Sequence, residues 1–213
     1  MRIDRKTSAL LVVDVQNDFC PGGALGVRDG DAVIEACNRA MRNFDHVILT
    51  QDWHPAGHVS FASSWPGKKP FDFVDVSGIP QTLWPEHCVA GSHGADFRLG
   101  LEVERASFVL RKGKTQTLDS YSAFVENDRR TTTGLAGLLR DLGVTEVFLA
   151  GIATDYCVLF SGLDALAAGF RVKVLEDGVR GVDVPTGTAA AALDRLAALG
   201  ATLTLSTEIG EAR

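Results

Sequence analysis

Short apolar runs alternate with helix-like segments along most of the chain, and this alternation constrains the fold more than any other feature. Six runs of four to seven residues carry the apolar pattern: Ala9–Val15, His46–Thr50, Ser107–Leu110, Glu146–Ala150, Arg171–Leu175 and Ala201–Leu205. Four amphipathic stretches between them predict helices: Asp31–Phe44, Thr133–Leu142, Cys157–Ala168 and Thr188–Leu199. Buried strands alternating with helices predict an α/β fold, a three-layer α/β/α sandwich around a six-stranded, mostly parallel sheet.

Composition limits the domain count and the class of partner. The 213 residues are 46% hydrophobic, which suffices for one core and predicts a single domain over residues 1–213. The net charge is −6 and no run of like charge occurs, so no nucleic-acid partner is expected. No signal peptide or apolar run of roughly 20 residues is present, so no membrane partner is expected. The four cysteines lack CxxC spacing, which predicts reduced thiols and a cytoplasmic location.

Polar, reactive residues follow four of the predicted strands. The first strand ends at Asp14, the second in the segment 51–54, the third near Lys114 and the fourth in the segment 151–157, which includes Cys157. Ligands of open parallel sheets bind beyond the carboxyl ends of the strands. The sequence therefore predicts an active site at this edge of the sheet.

Each of the three candidate catalytic residues also has a structural alternative. Cys157 opens a predicted helix, where the helix dipole favours the thiolate, yet free cysteines are usually small buried hydrophobes. Asp14 interrupts an apolar run and could serve as a base or only hold a loop. Lys114 could supply a positive charge to both, or could be a solvated surface residue.

The long segment from 55 to 99 carries most of the histidines. Four of the five lie between positions 54 and 93: His54, His58, His87 and His93. With Asp52, the first two form D-x-H-x-x-x-H, in which a proline and a glycine exclude a helix. Imidazole nitrogen and carboxylate oxygen suit zinc, iron or manganese, although satisfied loop histidines are the alternative.

Taken together, these segments resemble the nicotinamidase/pyrazinamidase group of the isochorismatase-like cysteine hydrolases, whose fold is Rossmann-like. The resemblance covers nearly the whole chain and includes six segments: LLVVDVQNDFCPGGALGV (10–27), TQDWHPAGHVSFAS (50–63), LWPEHCVAGSHGADF (83–97), RKGK (111–114), DSYSAF (119–124) and AGIATDYCV (150–158). The pattern is loose from Lys68 to Thr82.

The resemblance implies a role for each candidate residue. It implies a catalytic triad of Asp14, Lys114 and Cys157. It implies one divalent metal ion in the long inserted loop region, zinc in the first place and iron or manganese otherwise. The metal ligands it implies are Asp52, His54 and His87, with His58 as a possible fourth.

The resemblance also implies a substrate and a pocket. The substrate is nicotinamide, hydrolysed to nicotinate and ammonia in NAD salvage, and pyrazinamide is expected as a second substrate. The implied substrate-binding residues are Phe19, Trp84, Tyr121, Ile152 and Ala153. A cis peptide is implied at Ile152–Ala153, and the backbone N–H groups of Ala153 and Cys157 would form an oxyanion hole. Because members of the family include monomers and larger assemblies, a homo-oligomer is possible.

Three rival hypotheses remain at this point. One is a related amidase acting on a carbamoyl or ureido substrate, although such relatives usually lack a complete metal site. Another is a metallohydrolase in which Cys157 is idle. The last is a protein that binds metal or nicotinamide without chemistry, which would leave an intact triad without a purpose.

Overall fold

A six-stranded parallel sheet forms the centre of the molecule. A computed structural model describes residues 2–211 of the chain. Within that range the strands β1 to β10 have the bounds Arg2–Ile3, Ser8–Val13, His46–Asp52, Phe73–Val76, Ile79–Thr82, Phe108–Lys112, Glu146–Ile152, Arg171–Arg180, Thr202–Thr204 and Gly210–Glu211. The central sheet has the order β6-β3-β2-β7-β8-β9, and every neighbouring pair is parallel. The predicted six-stranded α/β fold is confirmed.

Helices cover both faces of this sheet. The α-helices α1 to α4 have the bounds Val33–Met41, Leu135–Asp141, Leu159–Ala167 and Thr188–Ala198. All four lie within the predicted stretches, but each is shorter. The predicted start of the third helix, Cys157, instead belongs to a π-helical turn, Thr154–Val158, that directly precedes α3.

Successive side chains of a strand point to opposite faces of the sheet, so the hydrophobic core is divided into one cluster on each face. In β2, Leu10 and Val12 pack with α1 residues such as Cys37, whereas Leu11 and Val13 belong to a second cluster. The second cluster contains the buried faces of α2, α3 and α4. Both sides of β2 are buried, which explains why its sequence is continuously apolar.

Several strands extend beyond their apolar runs. β3 continues to Asp52 and β6 to Lys112, and these two terminal residues are paired in register. β7 continues to Ile152. The predicted ends were too early because a polar side chain at the edge of the sheet still leaves its backbone free to continue the ladder.

The segment from 55 to 99 contains a small hairpin that the sequence analysis did not predict. β4 and β5 pair antiparallel, with Val76 opposite Ile79 at the turn. Single bridges join this segment to the rest of the molecule, such as Gln16 with Phe97 and His54 with Val89. Among the described residues, none of the helices has the length and apolar character needed to span a membrane.

Candidate active site

A cavity opens at the carboxyl end of the sheet. Its lining combines aromatic, acidic, histidine and thiol side chains: Phe19, Leu25, Asp52, His54, Trp84, His87, Asp119, Tyr121, Ala153, Tyr156, Cys157 and Val182. These residues come from the loop after β2, the end of β3, the segment 83–89, the loop after β6, the turn after β7 and the segment after β8. The expected edge of the sheet therefore holds a cavity with reactive groups in its wall.

The Lys112 ammonium group lies at the centre of this site. Its Nζ is 2.8 Å from Asp14 Oδ2 and 3.4 Å from Cys157 Sγ. It also donates to Asp52 Oδ1 and, at 3.1 Å, to the Ser120 carbonyl. With 1% exposure, this lysine has protein partners in place of water.

The predicted lysine was Lys114, and this prediction is corrected to Lys112. Lys112 is the last residue of β6 and points between Asp14 and Asp52, whereas Lys114 lies beyond the strand and is exposed. At Gly113 the chain turns with a φ of +63°. The turn ends the alternation, so the second lysine of the RKGK segment leaves the sheet edge for solvent.

Asp14 is fully buried and shares its two oxygens between two partners. Oδ1 accepts a 2.5 Å hydrogen bond from the Thr50 hydroxyl, and Thr50 Oγ1 accepts from the Asp14 backbone N–H at 3.1 Å. Oδ2 faces Lys112. Burial raises the pKa of Asp14, and the neighbouring Lys112 lowers it without cancelling the rise. Such a carboxyl group is a stronger proton acceptor than a solvated one.

Cys157 lies in the π-helical turn that follows β7. Its sulfur and one carboxylate oxygen each of Asp14 and Asp52 all lie within 4.8 Å of one another. Burial raises the pKa of the Cys157 thiol, although Lys112 lowers it. The resting thiol is therefore protonated, and its activation requires a nearby base. The Ile152–Ala153 peptide just before this turn is cis, as the resemblance implied.

Asp52, His54 and His87 form a second group in the cavity wall. Nε2 of His54 and Nε2 of His87 lie 3.6 Å and 3.8 Å from Asp52 Oδ2. The Nδ1 atoms lie 2.9 Å from the Gly113 carbonyl and 2.8 Å from the Pro85 carbonyl. Each Nδ1 therefore donates to a carbonyl, which leaves each Nε2 as the nitrogen that could bind a metal.

The charges of this second group influence one another. Burial raises the pKa of Asp52, but Lys112 and His54 together lower it by more, so its net shift is downward. The carboxylate therefore stays ionised. Burial and the neighbouring His54 lower the pKa of His87 to about 4. A carboxylate beside a neutral imidazole is the ionisation state in which these groups bind a metal.

His58 was considered a possible fourth metal ligand. It lies beside the group of Asp52, His54 and His87 but does not line the cavity. Its ring stacks on His54 with centroids 4.2 Å apart. Nδ1 is 2.8 Å from Ser60 Oγ, and Nε2 is 3.0 Å from the Thr115 carbonyl. Both nitrogens are thus engaged by the protein. His93, which was not assigned a role, is 89% exposed.

Most of the predicted pocket residues line the cavity. Phe19, Trp84, Tyr121 and Ala153 are in its wall, whereas Ile152 is fully buried in the core and is not a lining residue. The sequence analysis missed four lining residues: Leu25, Asp119, Tyr156 and Val182. Two of these had a signal, since Tyr156 directly precedes Cys157 and Asp119 opens the DSYSAF segment.

Residues 8–208 match the isochorismatase domain family, and the chain belongs to this family. It is 47% identical to a nicotinamidase of Acinetobacter baylyi over 83% of this chain and 82% of the relative. It is 46% identical to a nicotinamidase of Escherichia coli over 92% of this chain and 93% of the relative. Family and relatives together indicate an amidohydrolase.

Solved structures agree with this assignment. A nicotinamidase/pyrazinamidase of Acinetobacter baumanii superposes with a TM-score of 0.93 at 44% identity, covering 97% of this chain and 99% of that one. An L. infantum protein in complex with nicotinate gives 0.87 at 38% identity, covering 100% and 99%. A Pyrococcus horikoshii pyrazinamidase in complex with zinc gives 0.77 at 35% identity, covering 93% and 99%.

Proposed function

We propose that the protein is a nicotinamidase that hydrolyses nicotinamide, and also pyrazinamide, through a thioester on Cys157. The observation that carries this proposal is the position of Lys112 Nζ, which contacts Asp14, Asp52 and the Cys157 sulfur beside an aromatic cavity. The nicotinamidase relatives and the nicotinate-bound structure of a 38% identical protein support the choice of substrate.

The first half of the reaction forms the thioester. Asp14 accepts the thiol proton of Cys157, whose sulfur lies within 4.8 Å of its carboxylate, and Lys112 stabilises the thiolate from 3.4 Å. The sulfur attacks the carboxamide carbon, and the backbone N–H groups of Ala153 and Cys157 hold the developing oxyanion. Asp14 then gives its proton to the departing nitrogen, the C–N bond breaks and ammonia leaves.

The second half returns the enzyme to its resting state. A water molecule attacks the thioester carbon while Asp14 accepts one of its protons. The C–S bond breaks, nicotinate forms, and the sulfur regains the proton from Asp14. Throughout the cycle Lys112 remains charged, because its carboxylate neighbours hold its pKa well above the usual range despite burial.

A divalent metal ion fits the donor set of Asp52, His54 and His87. Both imidazoles are fixed through Nδ1 by backbone carbonyls and present Nε2 toward the Asp52 carboxylate, a set that suits zinc. The zinc-bound structure of a 35% identical pyrazinamidase supports the same metal, with iron and manganese as alternatives. When bound, the metal would interact with the pyridine nitrogen, directly or through a water, and orient the ring.

The aromatic part of the cavity wall would hold the pyridine ring. Phe19, Trp84, Tyr121 and Tyr156 all line the cavity, and Trp84 and Tyr156 form an edge contact with centroids 4.8 Å apart. Such walls keep bulk water away from the ring and favour a planar substrate.

The decisive experiment compares Cys157→Ala with Cys37→Ala. Cys157→Ala should abolish ammonia release from nicotinamide while metal content stays unchanged, because the sulfur lies outside the Asp52, His54 and His87 group. The matched control removes a thiol from α1, away from the cavity, and should keep normal turnover. Ammonia release near the normal rate by Cys157→Ala would refute the nucleophile assignment. Preferred turnover of a carbamoyl or ureido compound would refute the substrate.

A further inference from the structure

The hairpin of β4 and β5 reaches the active site through its last two residues. Most of this hairpin is half-buried or exposed, and Phe73 is 71% exposed. Gln81, near the end of β5, is only 2% exposed. A buried primary amide requires hydrogen-bond partners, and here those partners are residues of the cavity wall.

Gln81 donates hydrogen bonds to two cavity residues and, at 2.8 Å, to the Thr82 carbonyl. Its Nε2 lies 2.8 Å from Asp119 Oδ2 and 3.2 Å from the Tyr121 hydroxyl oxygen. Asp119 is 4% exposed, and its other oxygen accepts from the Ser120 backbone N–H at 2.8 Å. The amide of Gln81 is therefore the side-chain donor to a carboxylate that faces the cavity.

The contact between Gln81 and Tyr121 also determines whether the Tyr121 hydroxyl donates or accepts hydrogen bonds. Trp84 Nε1 approaches this oxygen at 3.3 Å, in addition to Gln81 Nε2. Indole and amide N–H groups can only donate, so the phenol oxygen acts as the acceptor of both. Its own hydrogen remains to be donated. Asp119 is thus fixed as an acceptor and Tyr121 as a donor.

Thr82, the next residue, reaches the second tyrosine of the cavity. Its side chain lowers the pKa of the Tyr156 phenol, against the larger effect of burial, which raises it. Two consecutive residues of one strand therefore contact the two tyrosines that line the cavity.

We propose that Gln81 is a positioning residue for the substrate, acting through Asp119 and Tyr121. The proposal rests on the nicotinamidase function proposed above. The hairpin presents an amide that holds a carboxylate acceptor and a phenol donor in the wall beside the ring site. Because these wall groups contact bound substrate before and during the reaction, their disorder weakens binding more than the chemical step.

Steady-state kinetics with nicotinamide test the proposal on the metal-loaded enzyme. Gln81→Leu removes the two hydrogen bonds to the cavity wall, together with the bond to the Thr82 carbonyl, at similar side-chain size. It should raise KM about tenfold, with kcat within about threefold of wild type. Gln81→Glu should be worse, since its carboxylate repels Asp119 and accepts the Tyr121 hydrogen. Phe73→Gln on the same hairpin is the control and should leave both constants unchanged.

A double-mutant cycle distinguishes positioning from a loss of hairpin structure. Asn at position 119 can donate to Glu at position 81, so Gln81→Glu/Asp119→Asn should have a KM at least about fivefold below the value expected from additive effects. Additive behaviour, an unchanged KM in Gln81→Leu, or equal losses in Gln81→Leu and Phe73→Gln would overturn the proposal. An inactive wild-type enzyme would instead refute the nicotinamidase function.

Discussion

Replacement of Lys112 by methionine is the most informative single change in this site. The ammonium lies 2.8 Å from Asp14 Oδ2 and also donates to Asp52, so Lys112→Met leaves two buried carboxylates without their shared cation. Coulomb's law at an effective dielectric of about 20 gives roughly 6 kcal/mol for one pair at that distance. Desolvation offsets part of this attraction, and breaking a buried pair typically costs about 3–5 kcal/mol of stability.

The assay combines denaturant unfolding with ammonia release. Lys112→Met should lose about 3–5 kcal/mol in the free energy of unfolding, and kcat/KM should fall by about a thousandfold or more. Lys114→Met is the matched control. Because its side chain is exposed, it should change stability by less than about 0.5 kcal/mol and activity by less than about twofold. An active Lys112→Met enzyme beside an inactive Lys114→Met enzyme would refute the geometry on which the mechanism depends.

Three further predictions concern the metal group and the core. Gly113→Ala should lower bound metal severalfold in elemental analysis, because a Cβ would lie 2.5 Å from Cε1 of His54 at a φ of +63°. In metal-free protein the pKa of His87 is lowered from 6.5 to about 4. Between pH 6.5 and pH 4 the His87 imidazole is therefore protonated in the unfolded state but not in the folded state. The stability of wild type relative to His87→Asn should therefore fall as pH falls from 6.5 to 4, and a pH-independent difference would contradict this. Leu149→Ala empties a fully buried core position and should cost about 2–5 kcal/mol by denaturant unfolding, without changing KM.

The sequence predicted the architecture well because the central strands are buried on both faces. In a continuous apolar run such as Leu10–Val13 both faces of the strand are buried, so the strand can be predicted without knowing which face is exposed. A glycine after each of the last three helices marks where the helix ends. The hairpin was missed although it carries a signal. Ser77 and Gly78 form a turn dipeptide between two short alternating runs, and both residues have positive φ angles.

The lysine error shows what periodicity leaves undetermined. Lys112 and Lys114 are two residues apart, so a continued strand would point both side chains to the same face. Only the position at which the strand ends separates them. That position depends on pairing with β3, which continues to Asp52, and on the turn at Gly113, whose small size leaves room for His54. These are tertiary contacts, and a single sequence does not display them.

Asp52 joins the two halves of the site, and this has a consequence for how mutations combine. One of its oxygens accepts from Lys112, while the other lies within 4 Å of both ligand histidines. A metal ion bound there would neutralise part of the charge that Lys112 now balances, so each cation reduces the cost of losing the other. Loss of Lys112 and removal of the metal should therefore destabilise the protein more together than the two effects added separately. If the two losses instead added independently, Asp52 would not couple the metal group to Asp14 and Cys157.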